Sequence, residues 1–237
     1  VASNVRKNQI FYIYTKKMFK GHCFPKSIIL QAVYFKLRFS LSYRDVEELM
    51  SIRGVKVDHA TIQRWVFKFT PLVEQQFRKR KKIVGKRWRM DETYVKVKGQ
   101  WRYLYRAVDK EGNTVDFLLT KRRQRISAQR FLIKVIEKNV KPELINIDKS
   151  GANTAAIKLY NRRNYSNIKI RQCKCLNNIV EQDHRMIKWR IMLGLGFKEF
   201  ESAKRTISGI EVVRMIKKNQ LLNPENSTYK SFISLAS

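Results

Sequence analysis

The chain has 237 residues, of which 43% are hydrophobic and 11% aromatic, enough to bury a core in one or two domains. Its 51 Lys and Arg against 19 Asp and Glu leave a net charge of +32, which excludes an ordinary enzyme surface and requires a polyanionic partner. No apolar run approaches the roughly 18 to 20 residues that span a bilayer, so nucleic acid is the expected polyanion.

Residues 1–20 show no clean period; their charge and aromatics suit either a loose terminus or an arm lying on DNA. The apolar run in FYIYTKKMFK is short and no small-residue cleavage site follows, so no signal peptide is expected. From Phe24 the pattern is helical: Ile28, Ile29, Ala32, Val33 and Leu37 recur on one face, and Pro25 sits where a first turn tolerates it. A second helix is expected in LSYRDVEELMSIRG, with Ser42 as N-cap, Asp45 three residues on, a stripe of Val46, Leu49 and Met50, and Gly54 as terminator. Asp58 then caps HATIQRWVFKF, whose buried stripe is Ile62, Trp65, Val66 and Phe69, with Pro71 marking the helix end. Two short helices joined through a Gly-containing turn, the second one basic, fit a helix-turn-helix. Gln63, Arg64, Lys68 and His59 lie off the apolar stripe, where they could reach bases or phosphates or simply face solvent.

The basic stretch RKRKKIVGKRWR marks a boundary, beyond which the period becomes extended. RWRMDETYVKV, WRYLYRAVD and TVDFLLTKR read as three antiparallel strands joined by the turns KGQ and KEGN. Ser127 is the expected cap of a helix burying Phe131, Leu132, Val135 and Ile136. The strand ELINID, a helix around AAIKLYN, a strand near NIKIRQC and a long helix from Asn177 through Met192 follow. Three antiparallel strands and then alternating helices and strands is an α/β order, that of a ribonuclease-H-like domain, here preceded by an all-α helix-turn-helix domain.

Few acids survive in this basic chain, so their positions are informative. Phosphodiester cleavage at neutral pH calls for a strong nucleophile and charge neutralisation, which two divalent cations held by carboxylates supply. Asp91 on the first strand, Asp148 at the end of the fourth and Glu181 on the late helix are separated by enough chain to cross the sheet and return. Glu92 must point to the opposite face from Asp91, because successive strand side chains alternate. Asp109 and Asp116 suit structural or solvent roles. On the late helix Asn177, Asn178, His184, Arg185 and Lys188 fall within roughly 60° of Glu181, while Ile179, Asp183 and Met186 point away. Such a stripe could hold metal and DNA phosphate, or be a solvated face with Glu181 and Arg185 paired.

The blocks WRMDETYVKVKGQWRYLYRAVD, LINIDKSGANTAAI, NNIVEQDHRMIKWR and LGFKEFESAKRTISGIEVVRMIKKNQ closely resemble the DDE transposases of bacterial insertion sequences, in particular insertion-sequence family six. The resemblance covers roughly residues 21–220. It implies that Asp91, Asp148 and Glu181 form the catalytic, metal-holding triad, with two Mg2+ or Mn2+ ions as cofactor. It also implies that Lys188 lies near donor DNA, where the helix face already places Arg185 as a possible phosphate contact, and that the helix-turn-helix reads terminal inverted repeats. The expected partners are double-stranded DNA, at element ends and at the target, and further copies of the chain in a homodimer or larger complex. A cytoplasmic, nucleoid-associated protein with no membrane contact is expected. A catalytically inactive helix-turn-helix DNA-binding protein derived from a transposase is the alternative. The expected organisation is an arm over 1–20, a helix-turn-helix domain over 21–80, the catalytic domain over 81–220 and a tail over 221–237.

Trp88, Trp101 and Tyr103 could stack on flipped bases, although strand aromatics more often pack in a sheet. The stretch KRRQR at 121–125 adds to the electrostatic footprint without sequence specificity. Cys23, Cys173 and Cys175 form no CxxC pair and are expected as free thiols. Cys173, Cys175 and His184 lack a fourth ligand for zinc.

Overall fold

The computed structural model describes residues 19–148, 151–173, 178–193 and 197–236. In chain order these form α1 (Lys26–Arg38), α2 (Tyr43–Ile52), α3 (His59–Lys79), β1 (Arg87–Val97), β2 (Gln100–Asp109), β3 (Thr114–Thr120) and α4 (Arg125–Lys138). There follow β4 (Leu144–Ile147), α5 (Gly151–Arg163), β5 (Lys169–Gln172), α6 (Asn178–Leu193), α7 (Phe200–Lys217) and α8 (Thr228–Ser234). The chain divides into two compact units, one running through Lys81 and resuming at Arg205–Ser237, the other Lys82–Lys204.

In the first unit the caps form as the sequence dictates. Ser42 Oγ accepts from Asp45 N while Asp45 Oδ2 accepts from Ser42 N, a complete capping box on α2. Asp58 Oδ2 accepts from Ala60 N and Thr61 N at the start of α3. Gly54, at φ +77°, turns the chain out of α2, and Val55 N donates back to Met50 O. Ile62, Trp65, Val66 and Phe69 are buried as expected, but Leu49 is 38% exposed and does not join Val46 and Met50.

Pro71 does not end the third helix: α3 continues to Lys79 with Pro71 inside it. A proline there removes the N–H that would bond the carbonyl four residues back, Phe67 O. Arg205 supplies the missing donor, its Nη1 lying 2.8 Å from Phe67 O while the guanidinium covers the Phe67 ring at 3.7 Å. The helix therefore survives its proline through a partner well over a hundred residues away in sequence, which no local signal reveals. Nor is 221–237 a bare polar tail, since Phe232 and Leu235 are buried and Tyr34 packs edge-on against Tyr229.

Gly209 on α7 is a contact that only glycine permits. A Cβ there would come within 2.6 Å of both Leu37 Cδ atoms and 2.7 Å of Thr70 Cγ2. Alanine normally gains about 1 kcal/mol over glycine in a helix interior. Here overpacking is expected to win, with Gly209→Ala costing roughly 1–3 kcal/mol in thermal unfolding. An unchanged or raised Tm would mean that Leu37 gives way freely.

The second unit is a mixed sheet of order β3-β2-β1-β4-β5. β1, β2 and β3 are antiparallel neighbours, and β4 and β5 run parallel to β1. Lys98 and Gly99 both have positive φ and close the β1–β2 hairpin in two residues, the turn type whose twist matches the strands. One face carries the core: Trp88, Met90, Tyr105 and Ile145 pack against Phe131 and Leu132 of α4 and Ile157 of α5. Trp88 is 1% exposed and donates its Nε1–H to Gly85 O, so it belongs to this core and not to a base-stacking surface. Ser127 lies inside the first turn of α4, which starts after Gln124, and donates its hydroxyl to Arg122 O instead of capping. Asp109 accepts from Gly85 N and Asn113 N, and Asp116 pairs with Lys134, both structural roles.

α6 packs against β1 and β2. β4 pairs with β1 only at Arg87–Arg89, so among the described residues the edge of β1 from Met90 to Lys96 carries no strand partner. The candidate site lies along that open edge.

Candidate active site

Strand alternation puts Asp91 and Glu92 on opposite faces of β1. Glu92 points to the α4/α5 side, where its largely buried carboxylate takes the Arg123 guanidinium and accepts from Asn153 Nδ2 at 3.1 Å, although it also borders the groove that Asp91 lines. Asp91 points to the α6 side, with His184 Nδ1 3.6 Å from its Oδ2. Asp148 follows β4 directly, at the carboxyl end of a parallel strand, and Glu181 occupies the first turn of α6. A groove of about 1250 Å³ is lined by Asp91, Glu181, His184, Arg185 and Lys188 together with side chains of the β1–β2 hairpin.

The electrostatics of this cluster are unfavourable on their own terms. The Asp91 carboxyl is pushed up to about 7, chiefly by burial, and the carboxylates of Asp148, Glu92 and Glu181 push the same way against a backbone hydrogen bond from Glu92. Asp148 and Glu181 thus lie near enough to act on Asp91, yet the oxygens of the three do not all come within 4.8 Å. Among the described residues the group that meets that distance is Glu47, Asp58 and His59 on the first unit. The donor set consists of hard carboxylate oxygens with a deficit of positive charge, which suits a divalent cation such as magnesium or manganese.

The expected polar stripe on α6 is partly corrected. Glu181, Arg185 and Lys188 are exposed, but His184 is 4% exposed and sits on the sheet side, while Met186 is 46% exposed. Asn177 lies outside the described residues, as does Cys175 of the cysteine pair. Asp183 is buried in an ion pair: Arg106 Nη2 lies 2.8 Å from Asp183 Oδ2, with both side chains nearly inaccessible. Arg106 is the cross-strand partner of Asp91, so this pair fixes α6 directly beside the acidic cluster. Sequence reasoning missed it, although a signal existed: Asp183 shares the buried side of α6 with Val180 and Ile187. A charge in an apolar stripe needs a buried partner.

On α3, Gln63, Arg64 and Lys68 are exposed, Arg64 Nη2 donating to Thr61 Oγ1 and Lys68 Nζ lying 2.9 Å from His22 Nε2. His59 is held between two carboxylates, its Nδ1 2.9 Å from Glu47 Oε2 and 3.1 Å from Asp58 Oδ1.

Strand order, parallel and antiparallel pairing, and acidic side chains on β1, after β4 and on α6 define a ribonuclease-H-like domain of the DDE class. A family model described as a DDE domain, of the IS240 transposase type, matches residues 85–220. The transposase for insertion sequence-like element IS431mec of Staphylococcus aureus strain N315 is 39% identical over 208 residues, covering 85% of this chain and 90% of the relative. The transposase for insertion sequence element IS257 in transposon Tn4003 of Staphylococcus aureus matches with the same identity and coverage. The chain belongs to the DDE transposases of bacterial insertion sequences, insertion-sequence family six, and is an enzyme of that kind. Among solved structures, the HTLV-2 integrase catalytic core domain in complex with magnesium, in its trimeric form, gives a TM-score of 0.45 at 17% identity, over 65% of this chain and 98% of that one. The catalytic core domain of BIV integrase gives 0.44 at 18% identity, over 63% and 94%. No helix among the described residues is long and apolar enough to cross a membrane.

Proposed function

We propose that the protein binds the terminal inverted repeats of its element and catalyses metal-dependent strand cleavage and strand transfer, with Asp91, Asp148 and Glu181 as the catalytic residues. The observation that carries this reading is the groove that brings Asp91 and Glu181 together with Arg185 and Lys188; burial, with the neighbouring carboxylates, pushes the Asp91 carboxyl up to about 7. The three carboxylates would hold two divalent ions, Mg2+ or Mn2+, which supply nucleophile activation and neutralise charge on the phosphate. Arg185 and Lys188, one and two turns along α6 from Glu181, hold the DNA phosphates on either side of the scissile bond. Glu92, already engaged by Arg123 and Asn153, stays out of the reaction.

Water attacks the phosphorus at the element end, the bond to the 3′ oxygen breaks, and that oxygen leaves as a 3′-hydroxyl. In the second step the 3′-hydroxyl oxygen attacks a target phosphodiester and displaces the target's own 3′ oxygen. Neither step needs a covalent enzyme intermediate. Gln63, Arg64, Lys68 and His59 on α3 read or grip the repeat, a homodimer or larger assembly pairs the two ends, and the work is done in the cytoplasm on the nucleoid. His59 has its Nδ1 beside the Glu47 and Asp58 carboxylates, so its Nε2 is the nitrogen it would offer to DNA.

The test is a labelled duplex ending in the element's terminal repeat, incubated with magnesium or with chelator. New 3′ ends that require the metal support the reading; a gel shift with no new ends under either condition leaves a pure DNA-binding protein. Binding is also expected to be steeply salt-dependent: neutralising six to ten phosphates costs roughly 10³ to 10⁵ in affinity between 50 and 200 mM salt. A flat profile in a titration by fluorescence anisotropy would remove the electrostatic basis of the argument.

A further inference from the structure

The groove has a second wall that the chemistry of the acidic cluster leaves unexplained. Along the β1–β2 hairpin, Tyr94 lies opposite Tyr103 and Lys96 opposite Trp101, so the four side chains share one side of the ladder. Tyr94 meets Tyr103 edge-on at 5.4 Å and Trp101 at 6.3 Å, and Lys96 Nζ stands 5.8 Å from the Trp101 ring. Such a ladder would usually be covered, yet Tyr94 is 42% exposed and Trp101 59% exposed. Both line the same groove as Asp91 and Glu181.

Exposed aromatic rings in water are unfavourable unless something covers them, and the surroundings say what. The groove's exposed cations are Lys96, Arg185 and Lys188, beside the exposed carboxylate of Glu181, in a chain of net charge +32. Rings interleaved with cations are complementary to a strand of nucleic acid, bases on the rings and phosphates on the cations. A paired duplex hides its base faces, so only unpaired bases fit. Tyr94 is three residues from Asp91, about 10 Å along the strand, and by alternation it shares Glu92's face, so the groove that both line passes round the open edge of β1 from one face to the other. A strand whose phosphodiester lies at the carboxylates therefore reaches the rings within a few nucleotides.

We propose that Tyr94, Trp101 and Lys96 form a binding subsite for one or two unpaired nucleobases of the DNA strand that enters the acidic groove. The inference rests on the proposed cleavage function for the identity of the strand. Trp101 and Tyr94 supply stacking surfaces and Lys96 takes the intervening phosphate. The duplex near the scissile bond is thus opened, and not read as an intact helix.

The test compares a blunt DNA duplex with the same duplex carrying a short single-stranded 3′ overhang that contains 2-aminopurine, both in chelator so that nothing is cut. The wild-type protein is expected to prefer the overhang by roughly 5- to 100-fold per stacked base, with quenching of the 2-aminopurine. Trp101→Ala and Tyr94→Ala should each lose that preference while retaining blunt-duplex affinity and the wild-type unfolding profile. Trp101→Phe, which keeps a ring, should retain most of it. Equal affinity of wild-type protein for the two duplexes, or a preference that survives both alanine changes, overturns the subsite. So does a Trp101→Ala protein that falls to a smaller oligomer with its overhang preference intact, since the rings would then cover a second copy of the chain. Metal-dependent cleavage by wild-type protein without overhang preference sinks this inference and leaves the proposed function standing. Overhang preference without metal-dependent cleavage does the reverse.

Discussion

Asp91→Asn is expected to abolish metal-dependent strand cleavage and transfer, by roughly 10³-fold or more, because several kcal/mol of charge stabilisation are lost and each 1.36 kcal/mol is a factor of ten. Duplex binding through the basic surfaces should persist. The same substitution has a second, opposite signature in the metal-free protein. In the fold the Asp91 carboxyl is raised from 3.8 to about 7, so between those values the folded chain keeps a proton that the unfolded chain has released. That contribution to stability is fully present below about pH 4 and is lost as pH rises through 7. An asparagine cannot ionise. Above pH 7 the metal-free Asp91→Asn protein should therefore unfold higher than wild type, by on the order of 1 kcal/mol or more, about 2–4 °C.

Magnesium reverses the comparison, because binding requires the ionised carboxyl and displaces its proton. Wild-type Tm should rise with magnesium, more above pH 7 than below it, and the Asn variant should respond weakly at either pH. Glu181→Gln should lose cleavage in the same way. Strand transfer undiminished in either variant would remove Asp91 and Glu181 from the triad.

How far the residues foretold this site follows from which forces act locally. The capping box of Ser42 and Asp45, the Asp58 cap and the two-residue Lys98–Gly99 turn each depend on neighbours within a few positions, and each stands where the chain alone places it. Alternation along β1 separated Asp91 from Glu92 for the same reason. Pro71 is the opposite case, since its helix persists because of Arg205, and the local rule that proline stops a helix gave the wrong end. Helical angle alone places His184 beside Glu181 on the polar stripe. The sheet that buries it is long-range information. Leu49 shows the converse, an apolar residue in register with a stripe that the neighbouring helices do not reach. The resemblance to insertion-sequence transposases rested on whole blocks, which carry tertiary information that periodicity lacks.

The second large effect is expected at Arg106 and Asp183. Arg106 is fully buried on β2 opposite Asp91, and Asp183 lies on α6 two residues beyond Glu181 and next to His184. Their buried ion pair ties the helix bearing one carboxylate to β2, the strand hydrogen-bonded alongside the one that bears Asp91. Removing one partner strands a charge in a medium that solvates it poorly, so Arg106→Met or Asp183→Ala should each cost about 3–5 kcal/mol. At roughly 2–4 °C per kcal/mol for a chain of this size, the Tm falls by about 10 °C. Replacing both, as Arg106→Met with Asp183→Leu, should recover much of that loss, because a buried pair and a well-packed apolar substitute are close in energy. Activity should not recover with it. An apolar contact does not specify the rotation of α6 as a directed hydrogen bond does, and a displacement of about 1 Å between carboxylates can cost a hundredfold in rate. The double-mutant cycle separates the two roles: a coupling energy near zero in unfolding would mean that the pair does not stabilise the unit, and full cleavage by the double variant would mean that it does not position Glu181 against Asp91.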